Sequence, residues 1–284
     1  LTRPAYVTRF APSPTGLLHK GHAFSALTAF EAARSAGGRL VLRIEDIDTQ
    51  RCRPQYGTAI YEDLEWLGIE WAAPIVRQSE RQAHYVAALD KLKSEGLLYR
   101  CFKTRKEVLE AIASAQHEPS EVFRGAPLSA QEEAARLAAG EPFAWRLAVA
   151  EAERRAGPLS YMEHGFSPAA KRGVIAVDAG AAGDVVLARK DLGVAYHLAA
   201  VVDDAFQGVT EVVRGWDLSE ATHVQRLLQA LLGLPAPDYR HHRLILGADG
   251  KRLAKRDRAE TLRALRARGV TPAELRAELG LTAD

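Results

Sequence analysis

Arg9-Phe10-Ala11-Pro12-Ser13-Pro14-Thr15-Gly16-Leu17-Leu18-His19-Lys20-Gly21-His22 is the stretch that decides how this chain folds. The residues leading into it, 5–10, mix apolar, aromatic and β-branched side chains and suit a short buried strand. Pro12, Pro14 and Gly16 end that strand, because proline has no amide hydrogen for a ladder and glycine admits a tight turn. Beyond Gly21 the apolar residues Ala23, Leu27 and Phe30 recur at helical spacing until Gly37 and Gly38. Residues 39–44 read as a second strand. The result is strand, turn, helix, strand: one βαβ unit.

The turn of such a unit opens at the carboxyl ends of the strands, where doubly wound sheets take their ligands. A helix starting there presents unpaired N–H groups and the positive end of its dipole, a setting made for phosphate. His19 and His22, with Gly21 between them, direct imidazole donors to the same place while the backbone stays open to close approach.

The totals bound the rest. With 284 residues, 47% hydrophobic and 26% charged, the chain can bury a substantial core and has no disordered character. A net charge of +2 gives no strong nonspecific attraction to nucleic acid, although basic residues crowd into 252–258 and 263–276. Two cysteines, Cys52 and Cys101, provide no disulfide framework and suit a reducing cytoplasm. No apolar run is long enough to span a bilayer and no secretory signal pattern opens the chain, so no membrane partner is expected.

Stretch 9–16 followed by His-x-Gly-His resembles the first signature of class I aminoacyl-tRNA synthetases, in the glutamyl and glutaminyl branch. That resemblance implies an α/β fold: a Rossmann-type parallel sheet split by a connective insertion, with a short helical stem-contact region at the end. Residues 1–96 and 191–240 would form the catalytic domain, 97–190 the insertion, and 241–284 a basic signature loop with truncated stem-contact helices. The same resemblance implies ATP as substrate, with Mg²⁺, bound by His19, Gly21, His22 and Lys255. His19, His22 and Lys255 would act in catalysis. Arg9, Phe10, Ala11, Pro12, Ser13, Glu45, Tyr196 and Arg214 would form a pocket for L-glutamate. One departure is Lys20, which stands where the family usually has an aliphatic residue.

Other stretches add to this reading. Arg43-Ile44-Glu45-Asp46-Ile47-Asp48 puts acids at a strand's carboxyl end, and the family's glutamate for the α-amino group falls on Glu45. Arg51-Cys52-Arg53-Pro54 also follows the family pattern. Where glutaminyl enzymes carry cysteine and glutamyl enzymes arginine, this chain has Arg214, and a guanidinium pairs bidentately with a side-chain carboxylate. Gly247-Ala248-Asp249-Gly250-Lys251-Arg252-Leu253-Ala254-Lys255-Arg256 resembles the second class I signature, Lys-Met-Ser-Lys-Ser, with Arg252, Ala254 and Arg256 departing and Lys255 kept. Many relatives hold zinc in the insertion through Cys-x-Cys and a distal Tyr-x-x-x-Cys. Here Cys101-Phe102-Lys103 offers one thiol, so the zinc site reads as lost.

Helices are predicted over 59–67, 82–92, 104–115 and 129–139, the last with a Ser129/Glu132 capping box. Strands are predicted at 143–149 and 185–189. The apolar runs of 183–215, broken by acids and glycines, read as the chain's return into the sheet. A helix opens at Thr222 and ends at Gly233 and Pro235, and two short helices, 261–268 and 272–279, follow the basic loop. The chain stops where a full glutamyl enzyme continues into an anticodon-binding domain. That points to the short branch of the family that glutamylates the queuosine base of tRNA(Asp), acting as a monomer, with the basic tail 251–276 holding nearby phosphates. A truncated enzyme charging a tRNA acceptor end, a small nucleotidyltransferase and a non-catalytic tRNA-binding paralogue remain open. The purified chain is expected to carry no stoichiometric zinc; elemental analysis finding about one dialysis-resistant zinc per chain would contradict that loss.

Overall fold

Every second residue of the first two strands decides where the helices go. In Val7–Phe10 and Arg39–Ile44 alternate side chains point to opposite faces of the sheet. Phe10, Leu40, Leu42 and Ile44 share one core with the helix over Lys20–Ser35, whereas Val7 and Val41 belong to a second apolar cluster. The computed structural model describes residues 5–113, 122–165, 172–189, 193–246 and 260–281.

In chain order the elements are β1 (Val7–Phe10), α1 (Lys20–Ser35), β2 (Arg39–Ile44), α2 (Pro54–Trp66), β3 (Ala72–Arg77), α3 (Gln82–Ser94) and β4 (Leu98–Cys101). Then come α4 (Arg105–Ala113), α5 (Ala130–Ala138), β5 (Ala144–Leu147), α6 (Val149–Ala156), β6 (Ser160–Glu163), β7 (Gly173–Ala176), β8 (Val186–Arg189) and β9 (Gly193–Val194). The chain continues through α7 (Tyr196–Phe206), β10 (Glu211–Gly215), α8 (Ser219–Leu232), β11 (Asp238–His242), α9 (Leu262–Ala267) and α10 (Pro272–Glu278).

Strands β1, β2 and β3 pair in parallel. So do β10, β11 and β6, with β7 antiparallel at the edge. The two groups meet where the Thr210 N–H donates to Val7 O (2.9 Å) and the Val7 N–H donates to Thr210 Oγ1 (2.9 Å). The α1–β2 turn needs both of its glycines. Gly37 takes a φ of +60°, and a Cβ on Gly38 would lie 2.3 Å from Tyr6 O.

Three features depart from the sequence reading. Residues 196–206 form helix α7 rather than extended chain, because an apolar run without clear periodicity fits a buried helix as well as a buried strand. Strands β3, β4, β6, β7 and β11 and helix α6 go unpredicted. Segment 97–190 also divides its strands: β4, β5 and β8 join β9 in an antiparallel sheet, while hairpin β6–β7 crosses to the parallel sheet and pairs with β11 at Glu163 and Tyr239. Asp184 pins the antiparallel part, accepting from Tyr99 Oη (2.8 Å) and from the N–H groups of Gly125 (2.8 Å) and Val149 (3.0 Å). The Ser129/Glu132 capping box is present as read, with a second at Thr271/Glu274.

Helices α9 and α10 close over α1 and α2. Lys20 reaches Glu278 at 2.5 Å, so this unusual residue clasps the last helix to the first. Arg276 pairs with Glu31 (2.9 Å), Arg268 with Glu260 (2.9 Å), and Arg263 and Arg266 with Glu62 (3.3 and 3.4 Å). These arginines of the expected phosphate-holding tail therefore already face carboxylates of the chain. No helix among the described residues is long and apolar enough to cross a membrane.

Asp63 is the weak point of this closure. It is fully buried on α2, 3.6 Å from Arg266, and neither carboxylate oxygen receives a hydrogen bond among the described residues. Burial pushes its pKa up to about 6, against the pull of Arg266 and Arg263. An acid raised in the folded state favours folding while protonated, and that contribution is lost as pH rises through about 6. Asp63→Asn is expected to raise the melting temperature clearly at pH 8 and hardly at pH 4. Equal shifts at both pH values in thermal melts would show that ionisation at this site costs the fold nothing.

Candidate active site

Four parallel strands, β1, β2, β10 and β11, end on one cavity of about 870 Å³. Around it the fold brings together Arg9, Phe10, Ala11, Pro12, Ser13, His19, Gly21, His22, Glu45, Tyr196 and Arg214. Residues separated by up to two hundred positions thus share one space, as the carboxyl edge of a parallel sheet allows. Lys255, with the whole basic stretch 247–259, lies outside the described residues. The chain on the far side of that stretch is attached at the histidines: the Leu262 N–H donates to Leu18 O (2.9 Å) and Thr261 bridges His19.

The histidines begin α1 by capping it. The Gly21 N–H donates to His19 Nδ1 (3.1 Å), and the His19 N–H donates to His22 Nδ1 (3.2 Å). In each neutral ring Nδ1 is therefore the acceptor and Nε2 carries the proton. Gly21 permits this packing, since a Cβ there would lie 3.0 Å from the His19 ring. The Pro-rich turn is fixed to the second strand's end through Glu45 N–H to Pro12 O (3.0 Å) and Arg53 N–H to Pro14 O (3.0 Å).

Beneath the cavity lies a buried charge network. Arg43 is wholly buried, its Nη1 donating to Asp204 Oδ1 (2.7 Å) and Gln207 Oε1 (3.0 Å), and its Nη2 to Glu45 Oε1 (3.3 Å). Arg9 donates from Nε to the same Asp204 oxygen (3.3 Å) and from Nη1 to Val213 O (3.0 Å). Burial works to raise the Asp204 pKa, but Arg43 and Arg9 outweigh it and hold the carboxyl below the usual range. For Glu45 burial wins and pushes the pKa up, only partly offset by Arg43 and Arg9. A cation arriving from the cavity would relieve that cost.

Arg214, 4% exposed, gives its hydrogen bonds among the described residues to neutral groups. Its Nε donates to His241 Nε2 (3.2 Å), Nη1 to Gln225 Oε1 (2.7 Å) and Nη2 to Thr222 Oγ1 (2.7 Å). No carboxylate among the described residues forms an ion pair with it. Tyr196 borders the cavity from the first turn of α7. Sequence reasoning missed Arg43, Asp204, Glu163, His241, Thr222 and Gln225. Arg43 between Leu42 and Ile44, and Asp204 within an apolar run, carry a signal in hindsight: charges in apolar contexts are paired when buried. His241 carries none.

Comparison with known proteins agrees with this geometry. The family model described as tRNA synthetases class I (E and Q), catalytic domain, matches residues 5–282, and the chain belongs to this family. A relative from Rhodobacter capsulatus, named glutamyl-Q tRNA(Asp) synthetase, is 47% identical over 97% of this chain and 100% of its own length. A second of that name, from Symbiobacterium thermophilum, is 43% identical over 93% of this chain and 82% of its own. Among solved structures, a glutamate tRNA ligase from Elizabethkingia meningosepticum, in complex with its amino acid, is 30% identical with a TM-score of 0.70. The match covers 89% of this chain and 52% of that one, so this chain spans about half the length of that ligase.

Asp204→Asn removes the acid between two buried guanidinium groups. Unfolding in urea is expected to show a loss of about 3 kcal/mol or more, the usual scale for breaking a buried ion pair. A loss under about 1 kcal/mol would mean that Arg9 and Arg43 are held without it.

Proposed function

We propose that this chain activates L-glutamate with ATP in the absence of tRNA, and passes it to the queuosine base in the anticodon of tRNA(Asp). The observation that carries the choice of amino acid is Arg214, a buried guanidinium whose hydrogen bonds among the described residues go to neutral groups, opening on the same cavity as half-buried Glu45. A buried cation that is hydrogen-bonded to neutral groups favours an anionic ligand, and a half-buried acid of raised pKa favours a cationic one. A substrate with a side-chain carboxylate and an α-ammonium satisfies both.

In the first step an α-carboxylate oxygen of glutamate attacks the α-phosphorus of ATP. The bond from that phosphorus to the bridging oxygen breaks, and pyrophosphate leaves with the electron pair. No protein nucleophile is needed, so the chain's contribution is positioning and charge stabilisation. Arg9, Glu45, Tyr196 and Arg214 fix the amino acid against the 10–13 turn. The Nε2–H groups of His19 and His22, at a helix start that Gly21 keeps open, stabilise the phosphates, and Lys255 adds a cation. Mg²⁺ supplies further neutralisation of the polyphosphate. No group of three or more His, Cys, Asp or Glu that could hold a metal ion occurs among the described residues.

In the second step a hydroxyl of the queuosine cyclopentenediol attacks the activated carbonyl and AMP departs. The end-to-end match to a relative named for this reaction supports the choice of acceptor. Single-stranded loops can splay a base into a pocket for such chemistry. A tRNA substrate would place the enzyme in the cytoplasm.

The test is glutamate-dependent ATP–pyrophosphate exchange without RNA, followed by transfer of labelled glutamate to tRNA(Asp). Exchange is expected without RNA, and transfer only to queuosine-containing tRNA, including tRNA trimmed at its 3′ end. Label that requires the 3′ terminus would establish an acceptor-end enzyme instead. Arg214→Cys is expected to lower glutamate activation several-fold to a few hundredfold, about 1–3 kcal/mol, with the KM for ATP nearly unchanged.

A further inference from the structure

The Arg214 guanidinium is aimed by a relay that starts in the inserted hairpin. Glu163, the last residue of β6, is 3% exposed and engages both carboxylate oxygens. Its Oε1 accepts the N–H groups of Gly165 (2.7 Å) and His241 (3.0 Å), and its Oε2 lies 2.5 Å from His241 Nδ1. Across the same ring, Arg214 Nε donates to His241 Nε2. A guanidinium N–H can only donate, so Nε2 is the bare nitrogen and the ring proton sits on Nδ1, facing Glu163.

The other protonation states fail in this setting. A doubly protonated ring would set Nε2–H against Arg214 Nε–H, with two like charges together in a buried site. The opposite tautomer would do the same to that N–H and would also turn a bare Nδ1 toward a carboxylate. Only the Nδ1–H form satisfies both neighbours. It also suits Thr222 Oγ1, which accepts from Arg214 Nη2 and can donate its own hydrogen to Nε2 at 3.3 Å. Three of the five guanidinium donors are then fixed, which leaves one N–H on each of Nη1 and Nη2 of a residue that lines the cavity.

We propose that Glu163 is a positioning residue for amino-acid selection: it locks the His241 tautomer, and His241 in turn fixes the plane in which Arg214 offers its terminal N–H groups to a substrate carboxylate. This rests on the reading of Arg214 as the partner of the substrate's side chain. It gives the inserted segment a part in specificity, although Glu163 never meets the amino acid.

Glu163→Gln tests the lock with minimal change of shape. Two backbone N–H groups hold the Oε1 position for an acceptor, so the new amide nitrogen takes the place of Oε2 and donates to His241 Nδ1. The ring proton is then driven to Nε2, against Arg214. In ATP–pyrophosphate exchange the KM for glutamate is expected to rise about tenfold, the scale of one lost hydrogen bond to a charged group, with less than a twofold change in the KM for ATP. In an Arg214→Cys background the same substitution is expected to add nothing further, since residues acting through one another are non-additive. In the unaltered protein, ¹⁵N NMR with labelled histidine is expected to find the His241 proton on Nδ1. A proton on Nε2, or an undiminished effect of Glu163→Gln in the Arg214→Cys background, overturns the proposal. So does an unchanged glutamate KM in Glu163→Gln when Arg214→Cys alone raises it. If Arg214→Cys itself leaves glutamate binding intact, the failure lies in the reading of Arg214. Should Glu163→Gln not fold, the ring tautomer of the unaltered protein decides between the lock and its absence.

Discussion

A single carboxylate oxygen, Oδ1 of Asp204, ties β1, β2 and α7 together beneath the cavity. Arg9 from β1 and Arg43 from β2 point to the same face of the sheet, side by side and out of water, which like charges do only when an acid sits between them. Helix α7 brings that acid, and the Arg9 contact with Val213 O draws β10 to the same point. With Glu45 included, two cations face two anions under the cavity floor. The docking of α7 also sets Tyr196 at the cavity and Asp203 against Gln78, Arg81 and Tyr85. The contacts that join these strands and α7 therefore also shape the cavity floor.

How much of this was legible in the chain depends on how local the determining forces are. The opening βαβ unit could be read because proline, glycine and helical periodicity act over a few residues, and β2 falls on the predicted residues 39–44. Short-range caps such as Ser129 with Glu132 were legible for the same reason. Helix α7 was not: its buried residues include Leu198, Ala199, Ala200 and Val201 together with Asp203 and Asp204, so no amphipathic stripe marks it. The supports of the pocket were least visible. Glu163 and His241 are 78 positions apart, and only the pairing of β6 with β11 makes them neighbours.

The C-terminal helices show how a surface that reads as cationic can be something else. Along 260–276 the arginines suggest a stripe for phosphates, yet Arg263, Arg266, Arg268 and Arg276 meet Glu62, Glu260 and Glu31. Exposed pairs of this kind contribute little each, about 0–1 kcal/mol. Their collective effect is registry: together with Lys20–Glu278 and the donation from Arg243 to Leu279 O (2.6 Å), they set α9 and α10 over α1. Thr261 and Leu262, at the start of α9, are thereby held against His19 and Leu18.

The reciprocal caps of His19 and His22 carry a consequence for descent. The two rings that cap the helix also line the cavity, so neither position can drift for one reason alone. A lineage that abandoned nucleotide chemistry would still need α1 capped, and the residues that cap best without a ring are asparagine, aspartate and serine. Relics of this fold should therefore betray their silence by a short polar side chain at position 19, with the helix intact behind it. On the proposed chemistry a catalytic lineage has no such freedom, because the rings that cap the helix are also those that would meet the phosphates.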